Sequence, residues 1–208
     1  MAITPTVYAT AAEYRAALSG TDASQDASIL ADLTTISRYI DSVCNRFFGA
    51  DSAAVARVFT APVNYRALIV GDMAAVPTGV LIDTDNDGSF TGETAVTGFE
   101  AWPLNAALDP EPRPYYMIGL PSWASPSAFT AGSRVQVTAK WGWPAVPAAI
   151  KAATIHLTGI LRLQSPRATV RMDEMGSPIQ MSGEAQHIVR NLLREYALVE
   201  VPSGRPVA

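Results

Sequence analysis

The chain has 208 residues, of which 49% are apolar and 16% charged, and its formal net charge is -4. That balance supports one sizeable core or two small ones and excludes a disordered chain, which could not bury enough apolar surface to offset the entropy of ordering. Cys44 is the single cysteine, which excludes an internal disulfide and a cysteine-based zinc cluster and fits synthesis in a reducing compartment.

The N-terminus carries no basic run followed by an apolar block, so no secretory signal is expected. Thr10 and Glu13 in TAAE stand at capping-box spacing and open a short predicted helix over residues 11–18. A second helix is predicted over 27–48: Ile29, Leu33, Ile36, Ile40, Val43 and Phe47 form one apolar stripe, with Gly49 as the C-cap glycine. From about 55 to 143 the period changes. Short β-prone runs (RVFTAP, ALIV, GVLID, YYMI, SRVQVTAKW) alternate with clusters of Pro, Gly, Asn and Asp, which predicts a small β-rich unit.

Helical periodicity returns over 147–164, where Pro147 suits the first turn and Ile150, Thr154, Leu157 and Leu161 share a face. This segment holds the most apolar helical stretch, AAIKAATIHLTGIL, which is too short for a bilayer and carries Lys151 and His156; no membrane association is expected. A last helix is predicted over 184–198 with Ile188, Leu192 and Tyr196 on one side. Residues 165–182 read as a long, partly extended connection and 200–208 as an extended tail. The expected class is α+β: a helical core from 1–54 and 144–199, with the β-rich unit inserted at 55–143.

DTDNDGSF at 83–90 places Asp83, Asp85 and Asp87 at alternate positions before Gly88, as a calcium loop of the EF-hand type begins. Such a loop needs a bidentate Glu at its twelfth position, where this chain has Thr94, with Glu93 one short. The flanks also look like strands. Asn86, Asp87 and Gly88 are what a tight turn requires, so the expectation is a turn, with the three aspartates as the calcium candidates and no metal or cofactor required.

Catalytic constellations are scarce. His156 and His187 each lie in a predicted helix without metal-site spacing, and His156 is expected at a helix interface. Cys44 reads as a small buried apolar group, Asp173 and Glu174 as solvated charges, and no phosphate loop, dinucleotide fingerprint or nucleophile elbow is present. Trp141 and Trp143 in KWGWPAVP could stack on bases or a partner, but with Gly142 and Pro144 between and after them they read as a packed corner. Residues 1–110 hold 13 acids and 5 bases, and 111–208 hold 6 acids and 10 bases; scattered solvated charge is the simpler account of that split, docking of unlike surfaces the other.

RYIDSVCNRFFG at 38–49, then RVFTAP, then VTAKWGWPAVPAAIKAATIHLTGILR at 137–162 resemble the head-tail connector, or adaptor, proteins of long-tailed bacteriophages and gene transfer agents. In that family a first long helix ends in R-x-F, and a strand ending in a W-G-W-like corner runs into VP and an alanine-rich helix. The similarity spans about residues 30–198, and the β-rich insertion departs from the shorter, almost wholly helical members. The resemblance implies a non-enzymatic virion part made in the host cytoplasm: a homo-oligomeric ring, usually a dodecamer, in the neck between capsid and tail. Its implied partners are the portal protein and a stopper or tail-completion protein, with non-specific passage of genomic DNA through the lumen. It further implies portal binding by the C-terminal region, here Arg190, Arg194, Tyr196, Val201, Pro202 and Arg205. The alternative is a small calcium-dependent binding module built on the 83–88 loop.

Overall fold

The structure, a computed structural model, describes residues 7–18, 23–61, 66–93, 95–164 and 183–197. The elements are α1 (Ala11–Leu18), a 3-10 turn (Ala23–Gln25), α2 (Asp26–Cys44), β1 (Val55–Thr60), β2 (Ala67–Met73), β3 (Gly79–Ile82), β4 (Glu100–Trp102), β5 (Tyr115–Gly119), β6 (Arg134–Ala139), α3 (Ala148–Gln164) and α4 (Gly183–Tyr196). The class is α+β, as the change of hydrophobic period predicts. The described residues fall into two compact units: those within 49–145, which carry the six strands, and a helical unit from the described residues within 5–48 and 146–208. The predicted 165–182 connection and the 200–208 tail lie outside the described residues.

In the helical unit the capping box forms as its spacing requires. The Thr10 N–H donates to Glu13 Oε2 at 2.8 Å and the Glu13 N–H to Thr10 Oγ1 at 3.1 Å, so two of the orphan donors at the start of α1 are satisfied. Along α2, Ile29, Leu33, Ile36 and Ile40 are buried as the stripe predicts. The end of this helix differs from expectation: it stops at Cys44, and Asn45, not Gly49, takes the left-handed conformation (φ 49°) that closes it, with the Arg46 N–H bonded to Asp41 O. Asn tolerates that region because its short polar side chain bonds locally. The buried face continues at four residues from Ile40, so Cys44 is enclosed and Val43 half-buried, and beyond the helix end Phe48 is enclosed and Phe47 half-buried. In α3, Ile150, Thr154 and Leu157 are buried, but His156 is exposed on the opposite side rather than at an interface. In α4, Leu192 and Tyr196 are buried, and the Tyr196 ring meets Phe48 edge-on at 5.8 Å.

The β unit consists of two antiparallel three-stranded sheets, β1-β6-β3 and β2-β5-β4, around one apolar core. Alternation decides which residues enter it: Val135, Val137 and Ala139 of β6 are fully buried with Val80 and Ile82 opposite them on β3, and Leu68, Ile118 and Ala101 line the inner face of the other sheet. The KWGW corner closes the unit. Trp141 Nε1–H donates to Val55 O at 2.7 Å and Trp143 Nε1–H to Asp72 Oδ2 at 3.0 Å, so both indoles are buried with their polar edges satisfied. These tryptophans serve packing and offer no free stacking face.

Candidate functional site

Three regions bear on function, the first being the loop that follows β3. It leaves the strand at Ile82 and returns at an isolated bridge between Leu81 and Ala95, with the Val96 N–H bonded to Val80 O. No helix flanks it, so it is not an EF-hand. Within it, Asn86 (φ 61°) and Gly88 (φ 85°) supply the left-handed positions of a tight curl, as the turn expectation requires. The Gly88 N–H donates to Asp83 Oδ2 at 3.0 Å, the Asp87 N–H to Asp85 Oδ1 at 3.2 Å and the Ser89 N–H to Asp87 Oδ1 at 2.6 Å. Glu93 accepts from the Thr84 N–H (3.1 Å) and hydroxyl (2.7 Å), tying the far side of the loop to its start. Thr94 lies outside the described residues. One carboxylate oxygen from each of Asp83, Asp85 and Asp87 lies within 4.8 Å of the others.

The second region is the outward face of the β2-β5-β4 sheet. Register places Ile69 opposite Met117 and Met117 opposite Trp102, so the three apolar side chains form one row across the sheet. Ile69 is 56% exposed and Trp102 38%, and the Trp102 indole lies against Gly119, where an added Cβ would sit 2.9 Å from Nε1. Trp123 and Leu108 of the same unit are 71% and 80% exposed. The row of Ile69, Met117 and Trp102, being contiguous on one sheet face, makes that face a candidate contact surface.

The third region is α4. Arg190 and Arg194 are exposed on it, while Tyr196 points inward onto Phe48, which withdraws it from a surface open to a partner. Val201, Pro202 and Arg205 lie outside the described residues. His187 is exposed and within 3.3 Å of Asn191 Nδ2, one turn away. Asp173 and Glu174 also fall outside the described residues.

Two buried polar groups escaped the sequence reading. The Tyr8 hydroxyl donates to Asp41 Oδ1 and accepts the Phe48 N–H at 2.9 Å, joining the segment before α1 to the last turn of α2 and to the chain just beyond it. Burial, then the Asp41 bond and charge, raise the Tyr8 pKa, and burial raises that of Asp41 against the lowering effects of Tyr8 and Arg38. Ser37 is fully buried and accepts the Tyr8 N–H at 3.1 Å. The partners lie 29 to 40 positions apart, and no local pattern signals such pairing. Burial also pushes the Cys44 thiol up to about 11, with the Asp41 charge adding to it, which leaves that cysteine without nucleophilic character at neutral pH. Among the described residues no helix is long and apolar enough to cross a membrane.

No protein-family model matches the chain, and no curated protein matches it. Solved structures do. A chain in the neck of an empty GTA particle, computed with C6 symmetry, aligns over 99% of this chain and 97% of its own length, with a TM-score of 0.58 at 20% identity. A chain in the virion of a native gene transfer agent particle aligns over the same shares, with a TM-score of 0.52 at 21% identity. The fold of this chain, both units included, is therefore one found in the particles of gene transfer agents, in accord with the resemblance drawn from its sequence. Neither likeness favours a calcium-dependent binding module as the function.

Proposed function

We propose that the chain is a structural neck protein, the head-tail adaptor that forms a ring beneath the portal and connects it to the stopper or tail. The observation that carries this reading is the near end-to-end similarity to a chain of a GTA neck. A neck of six-fold symmetry accommodates a ring whose copy number is a multiple of six, and twelve is the number the sequence resemblance implies. A closed ring requires heterologous contacts repeated by rotation. The Ile69, Met117 and Trp102 row supplies apolar surface for such a contact, with the next copy of this chain as its occupant. The acidic first half and basic second half suit a head-to-tail arrangement as well.

The role is not enzymatic. The only cysteine is buried with a raised pKa, and His156 and His187 are exposed on separate helices. The net charge of -4 suits a DNA conduit, because a basic lumen would hold phosphates and stall passage. Portal contact is assigned to the end of the chain: the exposed Arg190 and Arg194, followed by Val201, Pro202 and Arg205.

The experiment is to mix the purified protein with tailless, DNA-filled heads from its source particle, pellet them, and image the portal vertex by cryo-electron microscopy. A new ring of density below the portal is the expected result. Heads that pellet without it overturn the adaptor reading.

A further inference from the structure

We propose that the loop after β3 is a calcium site in which Asp83, Asp85 and Asp87 hold one ion as a structural staple of the β unit. A tight turn accounts for much of this loop but not for the second carboxylate oxygen of Asp83. Its Oδ2 accepts the Gly88 N–H and so does all that the turn asks of it. Its Oδ1 is buried, in a residue only 1% exposed, and has no hydrogen-bond partner. A buried carboxylate oxygen without a donor is strongly disfavoured, and an ion is one of the few things that resolves it.

The surroundings point the same way. Three carboxylates with oxygens within 4.8 Å of one another repel, and among the described residues no lysine or arginine forms an ion pair with any of them. The Arg134 guanidinium packs over the loop at Gly88, 2.6 Å from where a Cβ on that glycine would be. Calcium bonds oxygen at about 2.3–2.6 Å, so oxygens on one ion are separated by at most about 5 Å, a limit the three carboxylates already meet. The cation would bring the charge the cluster lacks, and reached by Asp83 Oδ1 it would also supply that oxygen's missing partner.

The remaining ligands follow from the order of the loop. Ser89 stands at the seventh position, where a backbone carbonyl coordinates, and Thr91 at the ninth, where a ligand commonly acts through water. Glu93 is not free to close the shell, because Thr84 occupies both of its oxygens. Without that bidentate carboxylate the affinity should fall in the weak range of calcium modules, a Kd of about 10⁻⁴ to 10⁻³ M. Because strand and bridge flank the loop, binding would rigidify it rather than swing helices apart.

The test is calorimetric titration of calcium chloride into the full-length, EDTA-stripped protein, with melting curves at zero and 10 mM calcium (about ten or more times the Kd). One saturable site per chain and a raised Tm are expected. In the Asp85→Asn/Asp87→Asn variant the affinity should fall at least about tenfold and the Tm gain should vanish, since ligand charge sets affinity. Both residues are exposed, and an Asn side-chain oxygen can still accept the Asp87 and Ser89 N–H bonds, so the variant should fold. Absence of saturable heat in the unaltered protein overturns the site, as does an unchanged affinity in the variant. The result is independent of the adaptor reading, which is scored on ring density and not on calcium heat.

Discussion

A Cβ atom on Gly142 would lie 1.8 Å from the carbonyl oxygen of Gly49, the same oxygen that accepts the Trp143 N–H at 2.8 Å. The corner between β6 and the segment before α3 therefore forms by direct backbone approach, at a φ of +106° that only glycine adopts readily. Gly142→Ala should destabilise the β unit by about 2–4 kcal/mol, since strain and a backbone clash add. Gly79 in β3 has open space at its Cβ and no positive φ, so Gly79→Ala should change stability by less than about 1 kcal/mol. Urea unfolding followed by tryptophan fluorescence checks both, and equal effects would show that the approach is not what glycine protects.

The first turn of α1 carries a pH dependence with a defined sign. Lys151 Nζ lies 2.7 Å from Glu13 Oε1, and its bond, with those of the Thr10 N–H and hydroxyl, lowers the Glu13 pKa from 4.5 to about 2. A depressed carboxylate stabilises the fold above its unfolded value and loses that contribution as the pH falls from 4.5 toward 2. Asp41 works in the opposite sense, because burial raises its pKa and its ionisation with rising pH costs stability. Comparison with Glu13→Gln isolates the first effect. The two side chains are about 40% exposed, so the variant should be less stable at pH 7 by under about 1 kcal/mol. That gap should close by pH 2. Denaturant melts at the two pH values read it directly, and a gap independent of pH would remove the Lys151 contact from the account.

Cys44 should be chemically quiet. It is fully buried, with its pKa pushed up to about 11, so at pH 8 the thiolate fraction is on the order of 10⁻³. Iodoacetamide should label the native protein at least about 100-fold more slowly than the urea-unfolded chain. Native labelling at the unfolded rate would show that the thiol is accessible and ionisable in the folded protein.

How far the sequence could be read depended on whether the cause was local. Thr10 and Glu13 were legible because the capping box is a spacing of three, and Ile29 to Ile40 because the stripe repeats with the helix. Beyond Ile40 the 3.6-residue period and an Asn45 closure compete with the expected Gly49 stop, and Cys44 with Phe48 takes the buried places assigned to Val43 and Phe47. The 83–88 loop was legible as a turn, yet nothing in its spacing reveals that Asp83 is buried while Asp85 and Asp87 are exposed. That difference comes from the strand it terminates, since Ile82 and Asp83 are drawn in beside β6 by the Asp83 N–H bond to Arg134 O. The Tyr8 and Asp41 pair and the row on the outer sheet arise from non-local register, which no window of sequence contains.

Truncation separates attachment from folding. Deleting residues 201–208 should abolish binding to heads while leaving circular dichroism and Tm unchanged, because the sequence reads as an extended tail after the last helix. Heads that still acquire the ring would exclude the tail from the portal contact.

The row formed by Ile69, Met117 and Trp102 gives the proposed ring its sharpest test. Its inner counterparts, Leu68, Ile118 and Ala101, hold the sheet to the core, so the outer row can be altered without opening the unit. Ile69→Lys places a charge on an exposed strand position and should shift stability by no more than about 0.5–1 kcal/mol, within the range of surface substitutions. In a ring the same charge would be buried without a partner at every repeat of the interface, a cost that multiplies with the number of contacts. The variant should therefore melt like the unaltered protein, yet leave the portal vertex without ring density. Full ring occupancy with Ile69→Lys would show that this face looks away from the neighbouring subunit.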